Sequence, residues 1–109
     1  WIEDALVYAQ GTHELIDVLA EIDAGRATLW PFERSCLVSQ IIDYPRLRQF
    51  SYWLAGGDLD DLLSKEAGIR EWAASQGCTR MVVPGRMGWR RVMAPFGFGL
   101  LCEIVFKDI

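Results

Sequence analysis

The sequence predicts an α/β (α+β) domain with one mixed sheet, in which an antiparallel meander is followed by a parallel β-α-β crossover. Three strand-like runs between residues 27 and 55 are separated only by short turns, which is typical of antiparallel neighbours. A long helical pattern then leads into a fourth run, and a parallel pair needs a crossover of that kind. With 109 residues, 51% of them apolar, the chain can bury one core, so we expect one domain over residues 1–109.

Two short helices are expected at the start of the chain. Residues 2–9 carry alanine and leucine on one side, and Gly11 interrupts that pattern. Thr12 is a suitable N-cap for the second helix, because its hydroxyl can accept a hydrogen bond from a free amide of the first turn. Gly25 ends this helix. The apolar residues that we expect to face the core are Leu15, Ile16, Leu19 and Ile22.

The meander comes next, with strands expected at residues 27–32, 35–43 and 49–55. Pro31 has no backbone N–H to donate, which predicts an edge position for the first strand. Glu33 and Arg34 form the first turn. Pro45 predicts the second turn, because the residue before a proline avoids helical geometry. In the third strand, the two-residue alternation predicts one shared face for Phe50, Tyr52 and Leu54.

A long helix is expected from Asp58, its N-cap, to Gln76, with Gly77 ending it. Gly68 inside this helix costs about 1 kcal/mol relative to alanine, which marks it as the place for a kink. The expected core stripe is Leu59, Leu62, Leu63, Ile69 and Trp72. A strand at 79–83, a short helix at 85–95 and a last strand at 100–106 complete the predicted order α-α-β-β-β-α-β-α-β.

Charge and cysteine content narrow the function classes. A net charge of −4 argues against nucleic-acid binding as the default. No apolar run approaches the ~18 residues of a membrane span, and the acidic start lacks the basic segment of a signal peptide. The three cysteines have no CxxC spacing, so we expect no disulfide framework, no metal site and a reducing, cytoplasmic location. Buried thiols are expected for Cys36, Cys78 and Cys102.

Four stretches carry a resemblance to a known family. They are residues 25–31 (GRATLWP), 33–35 (ERS), 53–62 (WLAGGDLDDL) and 85–92 (GRMGWRRV). As a set they resemble small proteins of the GNAT acetyltransferase fold that phages, prophages and gene-transfer particles encode. The predicted element order is also similar to that of the GNAT superfamily over nearly the whole chain. The resemblance implies protein partners, such as phage structural proteins, in a host cytoplasm or a virion-like particle.

The resemblance also implies where acetyl-CoA would bind in an active member. Its pyrophosphate would lie on amides at the start of the long helix, and the matching residues here are Gly56, Gly57 and Asp58. Asp60 and Asp61 follow where the phosphates would approach. Carboxylates are favourable at a helix start, but they repel a phosphate.

The catalytic positions of the family are altered. Four residues before Gly97, where the resemblance implies a tyrosine as general acid, the chain has Met93, which cannot donate a proton. Glu33 and Glu103 are the remaining candidates for a catalytic base.

A basic, aromatic group of residues is the candidate interaction surface: Arg86, Trp89, Arg90 and Arg91. Arg86 and Arg90 are four residues apart and share one face of the last short helix. Such a surface can hold an acidic partner, a phosphate or a nucleic-acid backbone, or it is a solvated helix face. His13 has no second ligand at metal-binding spacing, which again predicts no metal site.

The sequence therefore favours a non-catalytic GNAT-like protein that acts by protein–protein interaction in particle assembly or structure, without a cofactor. The alternative is an acyl-CoA-dependent N-acetyltransferase with a divergent cofactor loop, for which acetyl-CoA is the cofactor. A regulator that binds nucleic acid through the arginines is less favoured, because the chain is acidic overall.

Overall fold

The computed structural model describes Ile2, Leu6, residues 11–85 and residues 88–109. Most of the predicted first helix, residues 2–9, lies outside the described residues. The helices and strands, in chain order, are α1 Leu15–Asp23, β1 Thr28–Pro31, β2 Ser35–Asp43, β3 Arg48–Gly57, α2 Leu59–Ser64, α3 Glu66–Ser75, β4 Arg80–Val82 and α4 Gly88–Met93. A 3₁₀ turn, Ala94–Phe96, follows α4 directly. No helix in these ranges is long and apolar enough to cross a membrane.

The four strands form one mixed sheet in the order β1-β2-β3-β4. β1 pairs antiparallel with β2, and β2 pairs antiparallel with β3, as predicted for the meander. After the helical crossover, β4 runs parallel to β3, with Gln49 opposite Arg80 and Ser51 opposite Val82. β1 lies at one edge of the sheet and ends at Pro31, in agreement with the missing donor of that residue.

Helices cover both faces of the sheet. α2, α3 and α4 cover one face, and the buried side chains there are Leu37, Phe50, Tyr52, Leu62, Ile69, Ala73 and Met93. α1 covers the other face, where Val18 packs with Ala27, Val38 and Leu54. The larger cluster is rich in edge-to-face aromatic contacts, such as Trp30 with Trp72, whose ring centroids lie 5.0 Å apart.

A bulge in β3 changes which side chains face which helices. Val38 pairs with Leu54, but the next residue, Ser39, pairs with Tyr52, so Trp53 is the extra residue. One extra residue reverses the face of every side chain that follows it. Tyr52 therefore lies on the side of α2–α4, whereas Leu54 lies on the side of α1. The predicted shared face of Phe50, Tyr52 and Leu54 is wrong at Leu54.

α1 is shorter than predicted and faces the sheet with a different side. Its N-cap is Glu14 instead of Thr12, and the Glu14 amide donates to the Asp17 carboxylate at 2.9 Å. The buried residue is Val18, while the predicted core residues Ile16 and Leu19 are 72% and 50% exposed. Of the predicted core residues, Ile22 packs in the same cluster as Val18, and Leu15 is half-buried on that side of the helix.

The predicted long helix consists of two helices that meet at Lys65, three residues before the expected kink at Gly68. Near this break, the Ser64 hydroxyl donates to the Asp61 carbonyl at 2.6 Å, and the Lys65 amide donates to Leu62 instead of continuing the i→i−4 ladder. The predicted core stripe is found at Leu62, Leu63, Ile69 and Trp72, but Leu59 is exposed.

Gly68 lies in α3, where a methyl group would have no heavy atom within 4 Å. We expect Gly68→Ala to raise the free energy of unfolding by about 0.5–1 kcal/mol, because alanine loses less backbone entropy in a helix. Urea denaturation measures the change. Gly99→Ala is the matched control in a segment without regular structure, where we expect no comparable gain. A loss of stability for Gly68→Ala would contradict the open surroundings.

The predicted last strand, residues 100–106, does not pair with another strand of the described chain. Residues 98–109 have no regular secondary structure, and residues 99–109 are exposed. The apolar residues of this segment are still typical of a strand, but a strand forms only where a second strand offers free backbone groups. Of the predicted order, the described residues thus contain one early helix, four strands and the later helices.

Candidate functional site

The β3–α2 junction contains Gly56, Gly57 and Asp58, the residues at which the family resemblance implies a pyrophosphate loop. In the structure, both glycines belong to β3 itself. Gly56 pairs with Cys36 and Gly57 pairs with Ser35, so their backbone is part of the sheet. α2 begins only two residues later, at Leu59. The glycines are therefore not in a free loop that could wrap around a ligand.

Because Gly57 has no side chain, another backbone segment can lie directly against it. In this structure that segment is the β1–β2 turn of the same chain. Gly57 has a φ of +92°, and a Cβ atom there would lie 2.5 Å from the Arg34 carbonyl oxygen and 2.7 Å from Ser35 Cα. The Asp58 amide donates to the same Arg34 carbonyl at 2.7 Å. The space beside Gly57 is therefore filled by protein, which does not fit a cofactor phosphate at this point.

Two carboxylates at the start of α2 have internal partners. One oxygen of Asp58 accepts a hydrogen bond from the Asp61 amide at 3.1 Å, which confirms Asp58 as the N-cap. Asp61 Oδ2 accepts from the Arg34 amide at 3.0 Å and from the Ser35 hydroxyl at 2.8 Å. Asp61 is only 5% exposed, and Ser35 is fully buried. Asp61 therefore holds the β1–β2 turn against α2, whereas Asp60 stays exposed.

The junction keeps its negative charge. The Ser35 hydroxyl is the main reason that the pKa of Asp61 lies below its usual value, and the Arg34 amide acts in the same direction against the effect of burial. The guanidinium of Arg34 lies 3.8 Å from Asp58 and 3.8 Å from Asp61, and it is largely solvent-exposed. Lys65 also acts on Asp61, so two cations stand against the three carboxylates of the first turn, and the remaining negative charge repels phosphate groups.

The position of the expected general acid is closed. Met93 is 3% exposed and packs in the larger core cluster, and its thioether has no proton to donate. The same cluster contains Tyr52, a residue that the sequence predicts only as part of the third strand. Burial, and then the charge of Glu66, raise the pKa of Tyr52, and its hydroxyl has no hydrogen-bond partner in the described ranges. The phenol stays protonated but is enclosed.

The two candidate bases are not part of an organised site. Glu33 lies exposed in the β1–β2 turn, and Glu103 lies exposed in the C-terminal segment. Neither carries a hydrogen bond or ion pair to another described side chain. A general base needs a fixed position beside the proton that it removes, and these glutamates have no such position here.

The candidate interaction surface that the sequence predicts on the last short helix divides into a buried part and an exposed part. Arg86 lies outside the described residues. Trp89 is half-buried against the larger core cluster, so it belongs mainly to the core. Arg90 and Arg91 are exposed on α4, and they line an open pocket of about 420 Å³ together with Ala94, Phe98, Gly99 and Leu100.

The cysteines differ in their surroundings and are all free thiols. Cys36 is buried and Cys78 is half-buried, and burial raises the pKa of both thiols. Cys102 is exposed, so the prediction of a buried thiol is wrong there, because the last strand is not packed. In the part of the chain that the structure describes, no group of three or more His, Cys, Asp or Glu side chains could hold a metal ion.

Comparisons with known proteins bear on the fold only. No family model matches the chain. No curated protein matches it either. Among solved structures, a point mutant of TTHA1254 from Thermus thermophilus is similar, with a TM-score of 0.63 over 100% of this chain and 92% of that chain. The identity is 12%, so the similarity supports a shared α+β fold and carries no activity across.

Proposed function

We propose that this chain is a non-catalytic GNAT-like protein that acts by protein–protein contact, of the kind that phages, prophages and gene-transfer particles encode. The four sequence stretches named above support the family, and the meander followed by a parallel crossover is compatible with it. Phage structural proteins are the proposed class of partner. The host cytoplasm, or a virion-like particle, is the proposed location.

The filled β3–α2 junction carries the non-catalytic part of the proposal. Gly57 is in contact with the Arg34 backbone, and Asp61 is hydrogen-bonded to the same turn, so a pyrophosphate would have to displace both. The carboxylates of Asp58 and Asp61 would also face its charge. Met93, at the expected acid position, is buried and has no proton to donate. The site therefore supports neither binding of the cofactor nor proton donation.

Exposed apolar side chains support the role in protein–protein contact. Soluble monomers rarely present large contiguous apolar patches, and larger ones mark interaction surfaces. In this chain, Ile16 and Leu19 project from α1, and a second group lies in the C-terminal segment. The latter contains Leu100, Leu101, Ile104, Val105, Phe106 and Ile109.

Calorimetric titration of the full chain with acetyl-CoA and with CoA tests the proposal. We expect no binding heat at millimolar ligand, because the Arg34 backbone fills the space beside Gly57 and the carboxylates at the start of α2 repel phosphate. Arg90→Ser/Arg91→Ser is the matched control, since exposed arginines bind phosphate wherever they lie.

Two outcomes of the titration separate the two proposed functions. Heat that disappears in the double variant comes from phosphate at α4, and the proposal stands. Micromolar binding that survives in the double variant would overturn the proposal, and the acetyltransferase alternative would then take its place.

A further inference from the structure

The C-terminal segment combines the pattern of a strand with the exposure of an unpaired chain. We define the tail as residues 100–109. Its even positions from 100 to 106 are all apolar, while the odd positions from 101 to 107 include Glu103 and Lys107. Leu101 and Val105 are also apolar, so one face of an extended tail would be wholly apolar and the other mixed, which is typical of a strand with one buried and one partly covered face. Yet Ile104, Val105 and Phe106 are 86%, 92% and 84% exposed.

The sheet has a free edge that suits such a strand. β4 is the last strand in the order β1-β2-β3-β4, so one side of its backbone has no partner strand in the described part of the chain. The opposite edge, β1, ends at Pro31, which lacks a backbone donor. Of the two edges, β4 is therefore the better acceptor for an added strand.

Charges on the two elements are complementary. Arg80 lies exposed on β4, and Arg90 and Arg91 lie exposed on α4. None of the three forms an ion pair within residues 11–85 and 88–109. The tail carries the acids Glu103 and Asp108 and one base, Lys107, so its charged side chains sum to −1. A tail laid along β4 would bring carboxylates towards these arginines while it covers its apolar face.

We propose that two copies of this chain exchange their tails, each tail adding as a strand to the β4 edge of the second copy. Every chain carries both the donor and the acceptor, so the contact can close on itself as a symmetric dimer. The apolar face formed by Leu100, Cys102, Ile104 and Phe106 is then buried, and Val105 faces solvent. The inference rests on the proposed function, because it names a second copy as a partner within that protein–protein role.

Light scattering after size exclusion, under reducing conditions, measures the assembly of the full chain. We expect a mass near twice 12.4 kDa. Ile104→Asp should raise the dissociation constant about a hundredfold, because it places a charge on the buried face. Val105→Asp is the matched control on the opposite face and should change the constant less than about threefold. Both residues are exposed in the single chain, so neither variant is expected to unfold it.

Hydrogen exchange of the tail amides separates an exchanged tail from one that folds back on its own sheet. The proposal is supported if the amides of residues 100–106 are protected from exchange in the dimer and lose that protection on dilution, as the dimer dissociates. Protection that is independent of concentration would overturn it in favour of the chain's own β4. A monomer with unprotected tail amides would also overturn it. None of these outcomes depends on acetyl-CoA binding, so failure of the proposed function is detected separately by the titration.

Discussion

Gly57→Ala is expected to lower the free energy of unfolding by about 3 kcal/mol or more. The residue has a φ of +92°, which L side chains rarely adopt, and the added methyl carbon would lie 2.5 Å from the Arg34 carbonyl oxygen. The Arg34 carbonyl accepts the Asp58 amide, and the next residue, Ser35, pairs with Gly57 itself, so this backbone cannot swing aside. Relief of the clash requires the β1–β2 turn to move away from α2. Equilibrium denaturation in urea measures the loss.

Gly77→Ala is the matched control for Gly57→Ala. Gly77 has a φ of +85° but no heavy atom within 4 Å of the added methyl position. Gly77→Ala should therefore lower the free energy of unfolding by about 1–2 kcal/mol, from backbone strain alone. Equal losses in the two variants would contradict the close approach at Gly57.

Asp61→Ala is expected to lower the midpoint temperature of unfolding by roughly 5–10 °C. The change leaves the Arg34 amide and the Ser35 hydroxyl without their acceptor, and Ser35 is fully buried. Asp60→Ala removes an exposed carboxylate from the same turn of α2 and should have little effect. Thermal unfolding followed by circular dichroism compares the two. A similar midpoint for both variants would show that Asp61 does not hold the turn.

The stability contributed by Asp61 should also depend on pH. The folded protein holds the pKa of Asp61 below its usual value, mainly through the Ser35 hydroxyl. The carboxylate of the unfolded chain titrates near pH ~3.9, so this contribution is complete above that pH and is lost as the pH falls through the lower, folded value. The difference in midpoint between the natural protein and Asp61→Ala should therefore shrink in acid. A constant difference from neutral to acidic pH would contradict the assignment.

Local chemistry accounts for the features that the sequence predicted well. Asp58 caps α2, Gly77 follows α3 in the left-handed conformation, and Pro31 ends an edge strand. Each of these depends on groups only a few residues away along the chain. The meander with its short turns and the parallel β3–β4 pair follow from the same local signals, because turn length and crossover length select the strand direction.

The sequence predicted where the candidate site at the β3–α2 junction lies in the chain, but it did not predict what Asp61 does there. The sequence places Asp61 in the first turn of a helix, where a carboxylate would face solvent or a phosphate. Its actual hydrogen-bond partners, Arg34 and Ser35, lie 27 and 26 residues earlier in the chain. No local pattern indicates that contact. The two glycines had suggested a ligand loop, yet the close approach at Gly57 is made by the protein's own turn.

By itself, the sequence determined the types of the elements from β1 to β4, the turns of the meander, the N-cap at Asp58 and an acidic helix start, because these depend on a residue and its near neighbours. Only the tertiary structure decided which faces are buried. The bulge at Trp53 reverses the side chains after it, α1 packs through Val18, and the tail meets no strand among the described residues. Each of these outcomes depends on surfaces that distant segments bring together, and the energy of burial depends on the neighbour that is present.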